Sequence, residues 1–155
     1  MKPTLFLRIA SVLTFIHAAL HTIGGVFGAP APGPQQAVVE AMKAHEFLAM
    51  GAMRSYWDFY MGMGLAVSIA LTAEAIVFWQ LGSLAKRDAA GLRPVLVTFM
   101  FGYLCLAVVS SRCFFAAPVI VEVLIAACLG VAIASSQRAA IAQPGMLDGR
   151  GLAGR

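Results

Sequence analysis

Long apolar stretches are the feature of this sequence that most restricts its fold. Residues 9–28 and 58–81 are predominantly apolar, and a third apolar run, about twice as long, is interrupted by Arg112 and Pro118. A helix of roughly 20 such residues crosses the hydrocarbon core of a bilayer. We therefore predict an all-α, polytopic membrane protein, a bundle of four transmembrane helices over residues 9–28, 58–81, 92–111 and 114–135.

The composition supports this class. Of the 155 residues, 61% are hydrophobic and 12% are charged, whereas about 25% of the residues in a typical soluble domain are charged. A chain so poor in charge would expose large apolar patches to water. The basic residues form no nucleic-acid-binding motif, and the three cysteines have no paired spacing, so we expect neither a nucleic-acid partner nor a disulfide framework.

The basic residues outside the spans are divided unequally between the two sides of the membrane. Eight of the eleven fall on the side that holds both termini, and three fall on the other. The positive-inside rule places the side with more basic residues in the cytoplasm. The eight are Lys2, Arg8, Lys86, Arg87, Arg93, Arg138, Arg150 and Arg155, and the three are Lys43, Arg54 and Arg112.

The segments at either side of the spans also have recognisable patterns. Residues 1–137 read as one transmembrane domain, and residues 138–155 as a disordered cytoplasmic tail rich in Gly and Arg. Apolar and charged residues alternate over residues 35–53, which predicts a short amphipathic helix on the outer surface. The alternative for the N-terminus, a cleaved signal peptide over residues 1–31, would leave three spans.

Two histidines occupy one face of the first span. His17 and His21 lie on a line with Thr14, Gly24 and Gly28, at steps of three and four residues. Residues at these steps share a helix face, and ionisable residues in a membrane usually face the protein interior. The imidazoles are either part of a site or neutral side chains satisfied by a carbonyl or carboxylate. They can share one metal ion, but the ligand count is too low for a standard site, so we expect no metal and no cofactor.

The second span opens with aromatic and charged residues. Tyr56, Trp57 and Tyr60 are typical of an aromatic belt at the membrane interface. Arg54 and Asp58 are four residues apart and can pair on a helix face. Deeper in the span, a line of small residues ends in an acid and predicts a helix-packing face. This line consists of Gly62, Ala66, Ala70 and Glu74.

The last two helices contribute one charged residue each to the same half of the membrane. Arg112 marks the turn between them, and Glu122 is expected about 12 Å below the outer surface. We predict a polar cluster that is either an open pocket or a closed structural network. Its candidate residues are His17, His21, Arg54, Tyr56, Trp57, Asp58, Tyr60, Arg112 and Glu122, with Glu74 as a secondary candidate.

Four short motifs resemble those of one family. They are A-L-H-T-I-G-G at residues 19–25, R-S-Y-W-D-F-Y-M-G-M-G-L at 54–65, W-Q-L-G-S-L-A-K at 79–86, and S-R-C-F-F at 111–115 followed by Pro118. Over about residues 7–133 the chain resembles a family of small, four-helix bacterial inner-membrane proteins with a YWDFY-type motif. The resemblance implies a location in the bacterial inner membrane. It implies no known reaction, substrate or cofactor.

Three functions are compatible with these features. The first is a membrane protein that binds a small amphipathic or lipid-like molecule, with Arg54 and Arg112 holding its head group. The second is an intramembrane enzyme that uses histidine and carboxylate acid–base chemistry, such as an isomerase or a quinone-linked enzyme. The third is a structural or assembly subunit, because helix faces lined by Gly and Ala suit homo-oligomers as well as packing within one chain.

Overall fold

The computed structural model describes residues 2–141, with side chains described as far as residue 136. It confirms the predicted fold class. Within the described residues, four helical segments are long and apolar enough to cross a membrane, and the β-structure is one two-stranded sheet. The four segments are Pro3–Val26, Tyr56–Leu84, Arg93–Cys113 and Ala116–Ser136.

The elements follow one another with short connections. The first segment is helix α1, which ends at Leu20 and continues as one π-helical segment. The tail predicted over residues 138–155 is helical at its start, because α5 extends to Ile141, and its remainder lies outside the described residues. In chain order the elements are α1 (Pro3–Leu20), the π-helical segment (His21–Val26), α2 (Pro34–Ala44), β1 (Glu46–Ala49), β2 (Ala52–Ser55), α3 (Tyr56–Leu84), α4 (Arg93–Cys113) and α5 (Ala116–Ile141).

The amphipathic helix predicted over residues 35–53 is only half correct. Helix α2 ends at Ala44, and the chain then forms the β1–β2 hairpin. Met50 and Gly51 both have positive φ, at 49° and 91°, which is the backbone conformation of the two-residue turns that join antiparallel strands. Glycine adopts this conformation without steric cost, so Gly51 is the residue that favours a hairpin over a continued helix.

The chain divides into two compact units, each described separately. The first unit contains the described residues of 1–14 and 75–155. All four long helices contribute side chains to its apolar core, and the two-residue connection between α4 and α5 makes these helices an antiparallel hairpin. The largest core residues are Leu7 from α1, Phe78 and Leu81 from α3, Leu96 and Tyr103 from α4, and Ile125 and Leu129 from α5.

The second unit contains residues 15–74. Here the π-helical segment packs on α3, with the buried side chain of Val26 against Gly64. A π-helical segment advances the chain by one extra residue relative to an α-helix, so the face predicted from α-helical steps is not kept. Gly24 and Gly28, which the sequence placed on the buried face of the first span, are exposed.

The small-residue packing face predicted on α3 is also wrong. Gly62, Ala66 and Ala70 are exposed, while Ser68 is buried and Gly64 is half-buried. The packing face is therefore turned to the other side of the helix. Because α3 is apolar around its whole circumference, its sequence gives no amphipathic contrast that would mark one face as internal.

Candidate functional site

The residues of the predicted polar cluster fall into both compact units. Arg112 and Glu122 belong to the first unit, and the other candidates belong to the second. Each group has its own set of contacts. The second-unit candidates are His17, His21, Arg54, Tyr56, Trp57, Asp58, Tyr60 and Glu74.

Glu122 is a buried acid within a membrane-spanning helix. Only 4% of its surface is exposed, and its Oε1 atom accepts a hydrogen bond of 2.9 Å from the hydroxyl of Ser110 on α4. Its other oxygen, Oε2, is buried and has no hydrogen-bond partner among the described residues. Buried polar atoms nearly always have a partner, so this half-satisfied carboxyl group is the strongest candidate for a ligand contact.

Ser110 is a site residue that the sequence analysis missed. It is as buried as Glu122. Tyr103, Ala107 and Ser110 are all buried on α4 and are spaced by four and three residues, which places them on one helix face. The sequence signal that could have identified Ser110 is a serine on the same helix face as Tyr103 and Ala107, two residues before Arg112.

Arg112 is not part of the Glu122 contact. Its side chain is exposed and makes no hydrogen bond or ion pair with a described residue. It lies in the last turn of α4, where a positive charge interacts favourably with the negative end of the helix dipole. The favourable interaction with the helix dipole therefore accounts for an arginine at this position.

Polar side chains join the π-helical segment to α3 in the second unit. The His21 Nε2 atom lies 3.1 Å from the carbonyl oxygen of Gly64, and because a carbonyl only accepts, Nε2 carries the proton. The Thr22 hydroxyl donates to the Ser68 hydroxyl over 2.8 Å. The Tyr60 hydroxyl donates to the carbonyl oxygen of Gly25 over 3.1 Å. Such bonds between helices replace the hydrophobic effect as a packing force in lipid, so His21 and Tyr60 have a structural role.

His17 differs from His21. It is half-buried, and its Nδ1 atom is buried without a hydrogen-bond partner among the described residues. Glu74, the secondary candidate, is half-buried on α3. Of the two histidines, His17 is therefore the one with unused hydrogen-bonding capacity.

Asp58 and Ser55 form the N-terminal cap of α3. The Oδ2 atom of Asp58 accepts a hydrogen bond of 2.8 Å from the backbone N–H of Ser55, and the Ser55 hydroxyl oxygen accepts one of 3.2 Å from the N–H of Asp58. This reciprocal pattern is a capping box. Arg54 lies in β2 rather than on a helix, and its guanidinium donates to the Met53 carbonyl oxygen. Arg54 and Asp58 therefore do not pair along one helix face as the spacing predicted, although the Arg54 charge still acts on the Asp58 carboxylate.

The aromatic residues at the start of α3 pack against the hairpin and α2. The Phe47 ring lies 4.9 Å from the Tyr56 ring, and Trp57 stacks on Tyr60 at 5.3 Å between centroids. The ammonium group of Lys43 lies 4.5 Å above the Trp57 ring, a cation–π contact. These contacts show how the rings pack, and both the interfacial aromatic belt and a site at these residues stay predictions.

Comparisons of the chain with models of known protein families, with curated proteins and with solved structures find no match. The resemblance to the family with the YWDFY-type motif therefore stays a prediction. The candidate site is defined by its contacts alone. Its centre is the buried Ser110–Glu122 pair on α4 and α5.

Proposed function

We propose that this multi-pass membrane protein binds a small amphipathic molecule inside the bilayer, with Glu122 as the polar anchor. The observation that carries this proposal is the buried Oε2 atom of Glu122, which lacks a hydrogen-bond partner among the described residues while Oε1 accepts from Ser110. Leaving such an atom unsatisfied costs about 1–3 kcal/mol. A ligand that supplies a hydrogen bond there recovers this free energy on binding.

The chemistry of the anchor indicates the kind of ligand. An ionised Glu122 only accepts hydrogen bonds, and a protonated amine beside it favours this ionised form, so the polar group that fits best is an amine, with a hydroxyl as the neutral alternative. The neighbouring residues on α5 are apolar and exposed, with 57% of Ile120 and 47% of Val123 accessible. These residues lie on other faces of α5, so a ligand that reaches the buried Glu122 has to part the packing of α4 and α5 there, with its apolar body on the lipid side.

This proposal changes the roles that the sequence suggested. Arg54 and Arg112 were expected to hold an anionic head group, but the contacts of Arg54 lie within the hairpin and Arg112 is exposed at a helix end. An acid as anchor favours the opposite polarity, a neutral or cationic head group. Arginine anchors favour an anionic ligand and an acidic anchor favours a cationic one. The two hypotheses therefore make opposite predictions for two ligands that have the same apolar chain and differ in head-group charge.

The location is a further part of the proposal. We place the protein in the bacterial inner membrane with both termini in the cytoplasm, since eight of the eleven basic residues lie on that side of the four spans. The family with the YWDFY-type motif is proposed for the chain on the same motifs as before. Glu122 then lies in the outer half of the membrane, about two turns into α5.

An intramembrane enzyme is the second candidate, and one observation favours it. The Nδ1 atom of His17 is buried and has no hydrogen-bond partner among the described residues, as expected for an imidazole that exchanges a proton with a substrate. In that case a substrate binds beside His17 within the second unit, and His17→Ala abolishes its conversion while its binding persists. A bound molecule that is recovered unchanged from wild-type protein argues for binding alone.

Binding of two single-chain amphiphiles tests the main proposal. Dodecylamine and dodecanoate share a chain and differ in the charge of the head group. We expect native mass spectrometry to show dodecylamine bound to wild-type protein, and Glu122→Leu to weaken this binding about tenfold or more, because a hydrogen bond to a charged group contributes about 1.5–3 kcal/mol. Dodecanoate should bind weakly, and equally to the wild-type protein and to the Glu122→Leu variant.

Two matched variants complete this experiment. Ser110→Ala removes the hydroxyl but keeps the carboxyl group, so dodecylamine binding should persist. Val108→Leu changes an exposed residue of α4 that has no part in the proposed site, and this variant should bind as wild type does. If dodecanoate binds better than dodecylamine, or if Glu122→Leu binds the amine as well as wild type, Glu122 is not the anchor.

A further inference from the structure

Arg8 is held by three residues of one helix face in the first unit. Its guanidinium carbon lies 3.5 Å from the centre of the Trp79 ring, and its Nη2 atom donates a hydrogen bond of 2.8 Å to the Ser83 hydroxyl. A side chain at position 82 would meet the Arg8 Nε atom at 3.2 Å, so glycine there allows the arginine to lie across α3. Trp79, Gly82 and Ser83 are spaced by three and four residues and therefore share a face. We name Arg8 with these three residues the Arg8 cradle.

The positive charge in the Arg8 cradle has no acidic partner among the described residues. The only acid in the nearby α3–α4 connection, Asp88, accepts a hydrogen bond of 2.8 Å from the Gly91 backbone N–H. The Nη1 atom of Arg8 is buried and has no hydrogen-bond partner in the described part of the chain. Arg8 is half-buried, and even partial burial of a cation without a counter-ion is unfavourable, so the cradle has the properties of a site for an anion.

An apolar groove adjoins the Arg8 cradle. It has a volume of about 260 Å³ and is lined by Arg8, Ile9, Val12 and Leu13, all on α1. Ile9 and Val12 are 39% and 50% exposed, so the groove is open to the lipid. Because all four lining residues belong to α1, the groove is a shallow depression on the surface of one helix, along which a lipid chain can lie but in which no ligand is enclosed.

We propose that the Arg8 cradle and this groove bind one anionic phospholipid, with the phosphate on the Arg8 guanidinium and an acyl chain along Ile9 and Val12. Charge complementarity identifies the occupant. Arginine binds phosphate oxygens through paired N–H donors, and the Arg8 Nη1 atom has no hydrogen-bond partner among the described residues. Basic sites between membrane helices are a known mode of recognising anionic lipid head groups. This site shares no residue with the Glu122 site, so either proposal can fail alone.

Fluorescence quenching of Trp79 by brominated lipids tests the site. The chain has two tryptophans, so Trp57→Phe leaves Trp79 as the single emitter. This protein is reconstituted in phosphatidylcholine vesicles that contain either brominated phosphatidylglycerol or brominated phosphatidylcholine. We expect stronger quenching by phosphatidylglycerol, and Arg8→Gln should reduce this preference about fivefold, which corresponds to about 1 kcal/mol for one basic residue.

Two further variants distinguish a specific lipid site from non-specific electrostatic attraction between anionic lipids and the basic protein. Arg87→Gln removes the same charge outside the Arg8 cradle and should keep the preference. Val12→Phe fills the groove without changing the charge and leaves Arg8 and the three α3 residues of the Arg8 cradle unmutated, and it should abolish the preference even if Arg8→Gln fails to fold. The proposal is overturned by equal quenching in the Trp57→Phe protein, by an equal effect of Arg87→Gln and Arg8→Gln, or by a full preference in Val12→Phe.

Discussion

Asp58 and Glu122 are both acids near one end of a membrane-spanning helix, but their surroundings differ. Asp58 is exposed, and its carboxylate accepts the backbone and side-chain hydrogen bonds of Ser55 at the start of α3. Glu122 is buried, with one oxygen bonded to Ser110 and the other without a partner among the described residues. The first acid is accounted for by helix capping. The second has unused capacity for a ligand.

Replacement of Asp58 by alanine tests the capping role. Asp58→Ala removes the acceptor for the Ser55 N–H and should lower the free energy of unfolding by about 1 kcal/mol. Arg54→Ala serves as the control, because among the described residues its side chain hydrogen-bonds only to the carbonyl oxygen of the preceding residue, and it should change stability by less than about 0.5 kcal/mol. Thermal unfolding in detergent micelles measures both. A larger loss for Arg54→Ala than for Asp58→Ala contradicts the capping box.

At the scale of elements, the contact between the π-helical segment and α3 decides which face of α3 is internal. The Gly64 carbonyl oxygen accepts from His21, and the Val26 side chain packs on the Gly64 backbone. A Cβ atom on Gly64 would lie 2.9 Å from the Cγ2 atom of Val26, whereas one on Gly62 would meet nothing within 4 Å. Close helix approach through a small residue is common in membrane proteins. In this protein the close approach of two helical segments occurs at Gly64 and not along the line of Gly62, Ala66 and Ala70.

Leucine substitutions at the two glycines distinguish these faces. Gly64→Leu forces the π-helical segment away from α3 and should cost about 1–3 kcal/mol, as overpacking does. Gly62→Leu points to open space and should leave stability unchanged or slightly raised. Unfolding in micelles, followed by circular dichroism, gives the comparison. If Gly62→Leu is the more damaging variant, the packing face is the one that the sequence pattern predicted.

At the scale of the whole molecule, the length of α3 and the distribution of charge determine the topology that we propose. Helix α3 has 29 residues, or about 43 Å at 1.5 Å per residue, enough to cross a bilayer with its headgroup regions. The segment before it therefore lies on one side of the membrane and the α3–α4 connection on the other. The basic residues Lys86 and Arg87 in this connection favour the cytoplasmic side.

Labelling of introduced cysteines tests this topology. In a protein whose Cys105, Cys113 and Cys128 are replaced by alanine, Lys43→Cys and Arg87→Cys are labelled with a membrane-impermeant thiol reagent. We expect Lys43→Cys to react from outside intact spheroplasts and Arg87→Cys to react only after the membrane is opened. Reaction of both from the same side contradicts the four-span topology.

The sequence by itself determined the fold class and the approximate positions of the spans. Length and apolarity are sufficient for this, because backbone groups in lipid must be satisfied within each helix, so a long apolar run has few alternatives. The aromatic belt at Tyr56, Trp57 and Tyr60 was inferred from composition at a span end and stays a prediction. Glu122 was also identified from sequence, since a lone acid in an apolar run is costly wherever it packs.

The tertiary structure alone decided how those helices use their faces. In a membrane helix nearly every face is apolar, so periodicity indicates which residues lie together but not which line meets a neighbour. For this reason the line of small residues that begins at Gly62 was predicted to face a neighbouring helix, and the packing role of Gly64 was missed. The partners of the polar groups are a second example. Ser110 for Glu122, Ser55 for Asp58, and the Trp79 ring for Arg8 each depend on the contacts between elements, and residue spacing along one helix does not specify such contacts.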